Sequence, residues 1–170
     1  MSSDRDILCQ PLTADAFAPF GDVIEVNGPP DKIINAGKCG RYHDLAQMDF
    51  GPDGRAGISL FDAQPRSFPY VLDLLERHPE GSQAFLPMTQ NPFLVIVSET
   101  AHSRPLAFLT APGQGINLHR GTWHGVLTPL AAPGLFAVID RIGDTANLEE
   151  RKLDPPWRIL PGDTMGGHQI

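Results

Sequence analysis

The chain is poor in cysteine, with only Cys9 and Cys39 among 170 residues. They are not spaced as a CxxC redox pair or a metal knuckle, so two free thiols in a reducing compartment are expected. Positive charge is also scarce: 13 Lys+Arg stand against 20 Asp+Glu, a formal net charge of -7. No long basic run occurs, which argues against nucleic acid as a partner, because neutralising phosphates needs clustered cations. Long apolar runs are missing too. No stretch approaches the roughly 18 apolar residues of a membrane helix, and MSSDRDILCQ carries acids without the apolar core of a signal peptide. A cytoplasmic protein with no membrane partner is the expectation.

What the chain has in quantity is glycine and proline, 17 of each. They interrupt the sequence so often that long helices have little room. Hydrophobic residues at 41% and charged residues at 19% are a globular composition, and the length suits one domain over 1–170. Thr13 is placed to cap a short helix over ADAFAPF, ended by Gly21. DVIEV then reads as a strand, followed by the turn-rich NGPPDKIINAGKCG and by RYHDL. GISLFDA alternates as a strand does. YVLDLLERH fits both periods over part of its length and is taken as a strand. QAFLPM, FLVIVSE, PLAFLTA, GINLH, HGVLTPL and LFAVIDRI are short apolar runs separated by turn residues. A mainly β sandwich or small barrel follows. FLVIVS and LFAVID are apolar on both faces, which points to strands covered on each side and to a subunit interface. The end of the chain, from about 161 to 170, lacks periodicity and is expected to be loose.

The densest polar cluster is ERHPEGSQAF. Strand alternation puts Glu76 and His78 on one face together with Leu72 and Leu74, so that face starts apolar and ends polar, as the mouth of a barrel does. Gln83 follows after a turn at Pro79–Gly81. HRGTWHG supplies His119 and His124 around Gly121. Each residue also has a bland reading. A lone His in a β protein is more often a packing residue than a catalyst, Glu76 beside Arg77 reads as a solvated pair, and Trp123 as a core anchor.

These two clusters resemble the paired motifs of the cupin superfamily, with Glu76, His78 and Gln83 in the slots of the first and His119, Gly121 and His124 in those of the second. A more specific resemblance is to the ureidoglycolate lyases. NAGKCGRYHDL, ERHPEGSQAFLPM, GQGINLHRGTWHGVL and FAVIDRIGDTANLEE, with the FGDVIE opening, match that family in order. One departure stands out: the family commonly has a second His after His124, and here that place is Gly125.

The resemblance implies a cupin-type double-stranded β-helix, a jelly-roll barrel with a few short helices, assembled as a homodimer. It also implies a lyase of allantoin and purine degradation that cleaves ureidoglycolate to glyoxylate and urea. That cleavage removes a hydroxyl proton and protonates the departing nitrogen, which is general acid–base work. His124 and His78 are the expected acid and base, with Glu76 orienting an imidazole or acting as an alternative base. Gln83 offers an amide to the ureido group, and Arg41, or after it Arg120, a guanidinium to the carboxylate. Asn35, His43 and Asn117 are further polar residues of the matching segments. No metal is expected to be required. If one binds, it is a weakly held, stimulatory divalent ion such as nickel or manganese on His78, Glu76 and His124. The alternatives are a metal-dependent cupin, a dioxygenase or isomerase on another small hydroxy acid, and a non-catalytic small-molecule-binding cupin.

Overall fold

A computed structural model describes residues 3–163. Almost every apolar run becomes a strand. The chain forms β1 (Asp6–Leu8), β2 (Gln10–Pro11), α1 (Ala14–Phe17), β3 (Gly21–Ile24), β4 (Lys32–Ile34), β5 (Cys39–Arg41), β6 (Arg55–Ala63) and β7 (Tyr70–Arg77). It continues with β8 (Gln83–Pro87), β9 (Phe93–Ser98), β10 (Leu106–Leu109), β11 (Gly115–Leu118), β12 (Trp123–His124), β13 (Thr128–Pro129), β14 (Gly134–Ile142) and β15 (Glu149–Leu160). One sheet runs β1-β15-β7-β12-β9-β10-β2, with β13 also on β9, and a second runs β3-β11-β8-β14-β6. The protein is mainly β with a nearly closed barrel, as the cupin resemblance implies.

The two sheets face each other across one apolar cluster. Phe93, Val95, Val97 and Phe108 of the first meet Phe85, Ile116, Leu118, Phe136 and Val138 of the second, and Phe17 and Phe20 close an end. Phe93 and Phe136 stack edge to face with centroids 4.9 Å apart. The other face of β9 carries Leu94 and Ile96, which join Tyr70, Leu72, Leu75, Ala107 and Ile159 in a second cluster. The apolar outer face of FLVIVS is therefore covered by this same chain and not by a partner subunit.

Several segments differ from their expected form for local reasons. Thr13 does cap the helix, its hydroxyl accepting from the Ala16 amide at 3.2 Å, but the helix stops at Phe17. Pro19 has no amide hydrogen to extend it. HGVLTPL is two short strands, β12 and β13, both paired with β9. The stretch 31–41 holds the β4–β5 hairpin, whose turn takes Asn35, Ala36 and Gly37 at positive φ. The largest omission is β15, at 12 residues the longest strand, which pairs along β7. Its EERKLDPP start is charged and proline-broken, so no alternation announces it. Of the end expected to be loose, Gly162 is buried against the Cys9 carbonyl, and 164–170 lie outside the described residues.

β15 also changes the face that β7 presents. Between Lys152, opposite Leu74, and Trp157, opposite Leu72, the pairing shifts register. Pro155 and Pro156 fall in this shift and cannot donate to the ladder. Leu72 and Leu75 both enter the second cluster, so the simple alternation linking Leu72 to Glu76 is broken there. Beyond the bulge alternation resumes, with Leu75 and Arg77 towards Trp123 and with Glu76 and His78 on the opposite side.

Candidate active site

Three strand ends bring the reactive groups together. β12 lies between β7 and β9, with His124 directly opposite Glu76 on one side and Val97 on the other. Residues opposite one another in a ladder share a face, so His124 and Glu76 look into the barrel with Val97. His78 follows β7 and its ring lies 5.3 Å from that of His124, centroid to centroid. Ligand atoms of Glu76, His78 and His124 all fall within 4.8 Å of one another.

The outer nitrogen of each imidazole is anchored to main chain. His124 Nδ1 lies 2.8 Å from the Gly125 carbonyl, and His78 Nδ1 lies 2.8 Å from the Asn147 carbonyl. A carbonyl only accepts, so Nδ1 carries the hydrogen in both rings. Either imidazole, when neutral, then turns a bare Nε2 lone pair into the site. Both Nε2 atoms are buried without a hydrogen-bond partner among the described residues. Burial pushes the His124 pKa down to about 4, with the nearby His78 adding to the shift and the Gly125 hydrogen bond opposing it. His124 is neutral at neutral pH. Glu76 moves the other way: burial raises it, His78 partly offsets the rise, and Glu150 across the ladder adds to it.

The second sheet contributes from across the barrel. Gln83 opens β8 immediately after the 78–82 connection that leaves β7, opposite Leu118 on one side and Asp140 on the other. It shares the inward face of Leu118, and its Nε2 donates to Asp140 Oδ2 at 3.1 Å. Gln83 Oε1 is buried without a partner among the described residues. Leu118 and His124 line one interior cavity of about 20 Å³, together with Phe85, Phe93 and Ile116. That is room for about one water. The cluster opens where Glu76 and His78 are only half-buried.

A sequence model of the family described as ureidoglycolate lyase matches residues 4–160. The chain belongs to the ureidoglycolate lyase family. It is 64% identical over 156 residues to a ureidoglycolate lyase of Rhodobacter capsulatus, covering 90% of this chain and 97% of that one. It is 52% identical over 157 residues to a ureidoglycolate lyase of Mesorhizobium japonicum, covering 90% and 96%. A ureidoglycolate lyase of Pseudomonas syringae pv. tomato is 42% identical over 163 residues, covering 92% and 95%.

In this member of the ureidoglycolate lyase family the remaining candidate residues fall in three places. Arg120 is beside the cluster: its Nε donates to the carbonyl of Pro79 at 2.7 Å, next to His78, and the adjacent Gly121 amide donates to the His78 carbonyl. Asn35, Arg41 and His43 belong to the β4–β5 hairpin and the turn after it, where all three are exposed and Arg41 contacts His43 at 2.8 Å. Among the described residues the hairpin strands pair only with each other, whereas Arg120 is bonded to the connection that carries His78 and lies 3.8 Å from Asp49. Asn117 is fully buried, but it pairs with Asp22 and donates to the Asp22 carboxylate and the Gln47 carbonyl. Its strand neighbours Ile116 and Leu118 point into the core, so Asn117 points out of the barrel. Gly125 is explained likewise. A Cβ there would meet Leu72 and Ile96 at 3.3 and 3.4 Å, so a side chain at 125 enters the second apolar cluster rather than the site.

Two residues at the site carried no signal of their own. Asn147 holds His78 through its carbonyl and accepts from the Glu80 amide with Oδ1 at 2.7 Å. Asp140 holds Gln83. Both lie in FAVIDRIGDTANLEE, a stretch whose value to the site appears only once the strands are paired.

Proposed function

We propose that this chain is a carbon–nitrogen lyase that cleaves ureidoglycolate to glyoxylate and urea. The observation that carries the reading is the convergence of two bare imidazole Nε2 atoms and one carboxylate. Family membership supports it, and relatives across almost the whole length are named for this reaction.

The substrate carries a hydroxyl, a carboxylate and a ureido group on one carbon. Collapse to the aldehyde moves the hydroxyl proton to the departing nitrogen, with no net gain or loss of protons. A neutral Nε2 of His78 or His124 takes the hydroxyl proton, and the imidazolium formed, or Glu76 when protonated, delivers one to the nitrogen. Burial, which raises the Glu76 carboxyl, favours that second role because the protonated form persists to higher pH than in an exposed carboxyl. Arg120 clamps the substrate carboxylate. Gln83 meets the ureido end.

The same three groups fit a divalent cation, since two neutral imidazoles and a carboxylate with unpartnered Nε2 atoms are a ligand set. Nickel or manganese held by His78, His124 and Glu76 would supply Lewis acidity at the substrate hydroxyl. We take such an ion as stimulatory and not required, because this elimination needs neither redox chemistry nor an activated water. We further place the enzyme in allantoin degradation, in the cytoplasm, as a homodimer.

The test is to supply racemic ureidoglycolate and follow glyoxylate, urea and ammonia separately, with and without chelator. Glyoxylate and urea in equal amounts are expected. Ammonia in place of urea would mean amide hydrolysis, absence of glyoxylate would reject the reading, and complete loss on chelation would make the metal essential.

A further inference from the structure

We infer that Asp140 fixes which way the Gln83 amide faces, and that through Gln83 it makes the site select ligands whose ureido end carries a terminal N–H donor over ligands with an acceptor there. Asp140 is a positioning residue, and the identity of its ligand rests on the lyase reading above.

A glutamine amide has an oxygen that accepts and a nitrogen that donates twice, on a nearly symmetric frame. Which end points where is decided by the neighbours. Here the neighbour is a carboxylate, which only accepts. Asp140 Oδ2 is 3.1 Å from Gln83 Nε2. With the amide turned over, two oxygens would face each other at that distance. The carboxylate therefore claims the nitrogen end, and Oε1 is turned away from it.

That oxygen is buried and unpartnered in a residue that is 6% exposed. Leu118, Gln83 and Asp140 occupy directly opposed positions on β11, β8 and β14, all on the inward face. Leu118 and His124 line one cavity, and Gln83 shares the inward face of Leu118, so its amide belongs to the same barrel interior as the His124 ring. A buried acceptor without a donor is costly, and a ligand that supplies one recovers that cost. The ureido group has N–H donors on both nitrogens. An ester or carboxylate in its place brings lone pairs against a lone pair. A site built around a buried polar group rejects an analogue that leaves it unpaired more strongly than it rejects a change of size.

Two unreactive probes separate these effects. Ureidoacetate is the substrate without its hydroxyl, so it has no aldehyde to form. N-methoxycarbonylglycine keeps the inner N–H and carries an O-methyl acceptor, one methyl larger, in place of the terminal NH₂ donor, so a loss due to size alone survives in the Asp140 variants. Calorimetric Kd values are measured for both on the wild-type protein, on Asp140→Asn and on Asp140→Ser, whose new side chains can donate as well as accept. The wild type is expected to prefer ureidoacetate about tenfold. Both variants should bring the ratio below about threefold, since Gln83 can then turn its nitrogen inward, with thermal unfolding shifted little. If Asp140 only supports packing, both probes weaken together and the tenfold ratio survives, which overturns the inference. A wild-type ratio near one overturns it with no variant needed. Turnover of ureidoglycolate by the same wild-type preparation is scored separately: a collapsing ratio without turnover would reject the lyase reading and leave the orientation of Gln83 standing.

Discussion

At the scale of single residues, the chemistry rests on hydrogen positions that neighbours dictate. His78 and His124 differ little as side chains, yet both are committed to the same tautomer by a main-chain carbonyl on Nδ1. Replacing either by Gln should lower kcat at least about 100-fold, the usual worth of one proton-transfer group. Steady-state turnover of ureidoglycolate checks this, with a thermal melt to confirm the fold. His124 also predicts a pH dependence of stability. Its folded pKa of about 4 lies below the ordinary 6.5, so between these values the unfolded chain binds the proton and the fold does not. Its contribution is complete above pH 6.5 and is lost progressively as pH falls to about 4, about 3 kcal/mol in all. Glu76, raised in the fold, works in the opposite direction over the acid range. The comparison that isolates the histidine is chemical denaturation of the wild type and His124→Gln from pH 4.5 to 7. The wild type should lose stability on acidification more steeply than the variant; equal slopes would mean that His124 titrates alike in the folded and unfolded chain. The residue types of this site were legible in ERHPEGSQAF and HRGTWHG. Their tautomers were not, because Gly125 and Asn147 act through carbonyls that every residue possesses.

At the scale of elements, the site depends on two connections clamped together. The 78–82 connection between β7 and β8 carries His78, and the 143–148 connection between β14 and β15 carries Asn147. Asn147 joins them twice, accepting from His78 Nδ1 and from the Glu80 amide, and Thr145 adds a bond to Glu80 at 2.8 Å. Asn147→Ala removes the side-chain bond and leaves the Glu80 amide unpaired, at a cost of about 1 kcal/mol. Because the carbonyl that orients His78 is then loosely held, kcat should fall about tenfold while KM changes little. Equal losses in kcat/KM and kcat, with the melting temperature nearly constant, are the result to look for; a change confined to KM would place this clamp on the substrate rather than on the base. Most strands were legible because each is a short apolar run bounded by glycine or proline. β15 was not, since a charged strand with two prolines is held by its pairing with β7 and not by its own pattern. The same bulge misdirected the inward face of β7: alternation read from Leu72 to Glu76 holds only if the strand has no irregularity, and this one is imposed from the partner strand.

At the scale of the whole molecule, the unresolved balance is between what the chain buries and what it leaves open. β6 is the edge of the second sheet, nine residues long, with one side unpaired among the described residues. Phe61 turns inward to meet Phe85, while Ile58 and Leu60 turn outward and are 76% and 64% exposed. A long edge with an apolar outer face invites pairing with another chain unless something covers it. The sequence pointed to subunit contact through FLVIVS and LFAVID; β9 is closed by the chain's own second cluster, while the outer face of LFAVID, with Leu135, Ala137 and Ile139 only half-buried, continues the open apolar surface of β6. A second copy related by a two-fold axis would bury the same residues on both protomers at once. The homodimer reading therefore predicts that the wild-type protein sediments with the mass of two chains, and that Ile58→Lys combined with Leu60→Lys yields a folded monomer. Both positions already face solvent in the single chain, so the pair of lysines should leave the barrel and its unfolding transition almost unchanged. Sedimentation of the wild type as one chain, or of the double variant still as two, would leave β6 an ordinary edge and put any subunit contact on another face.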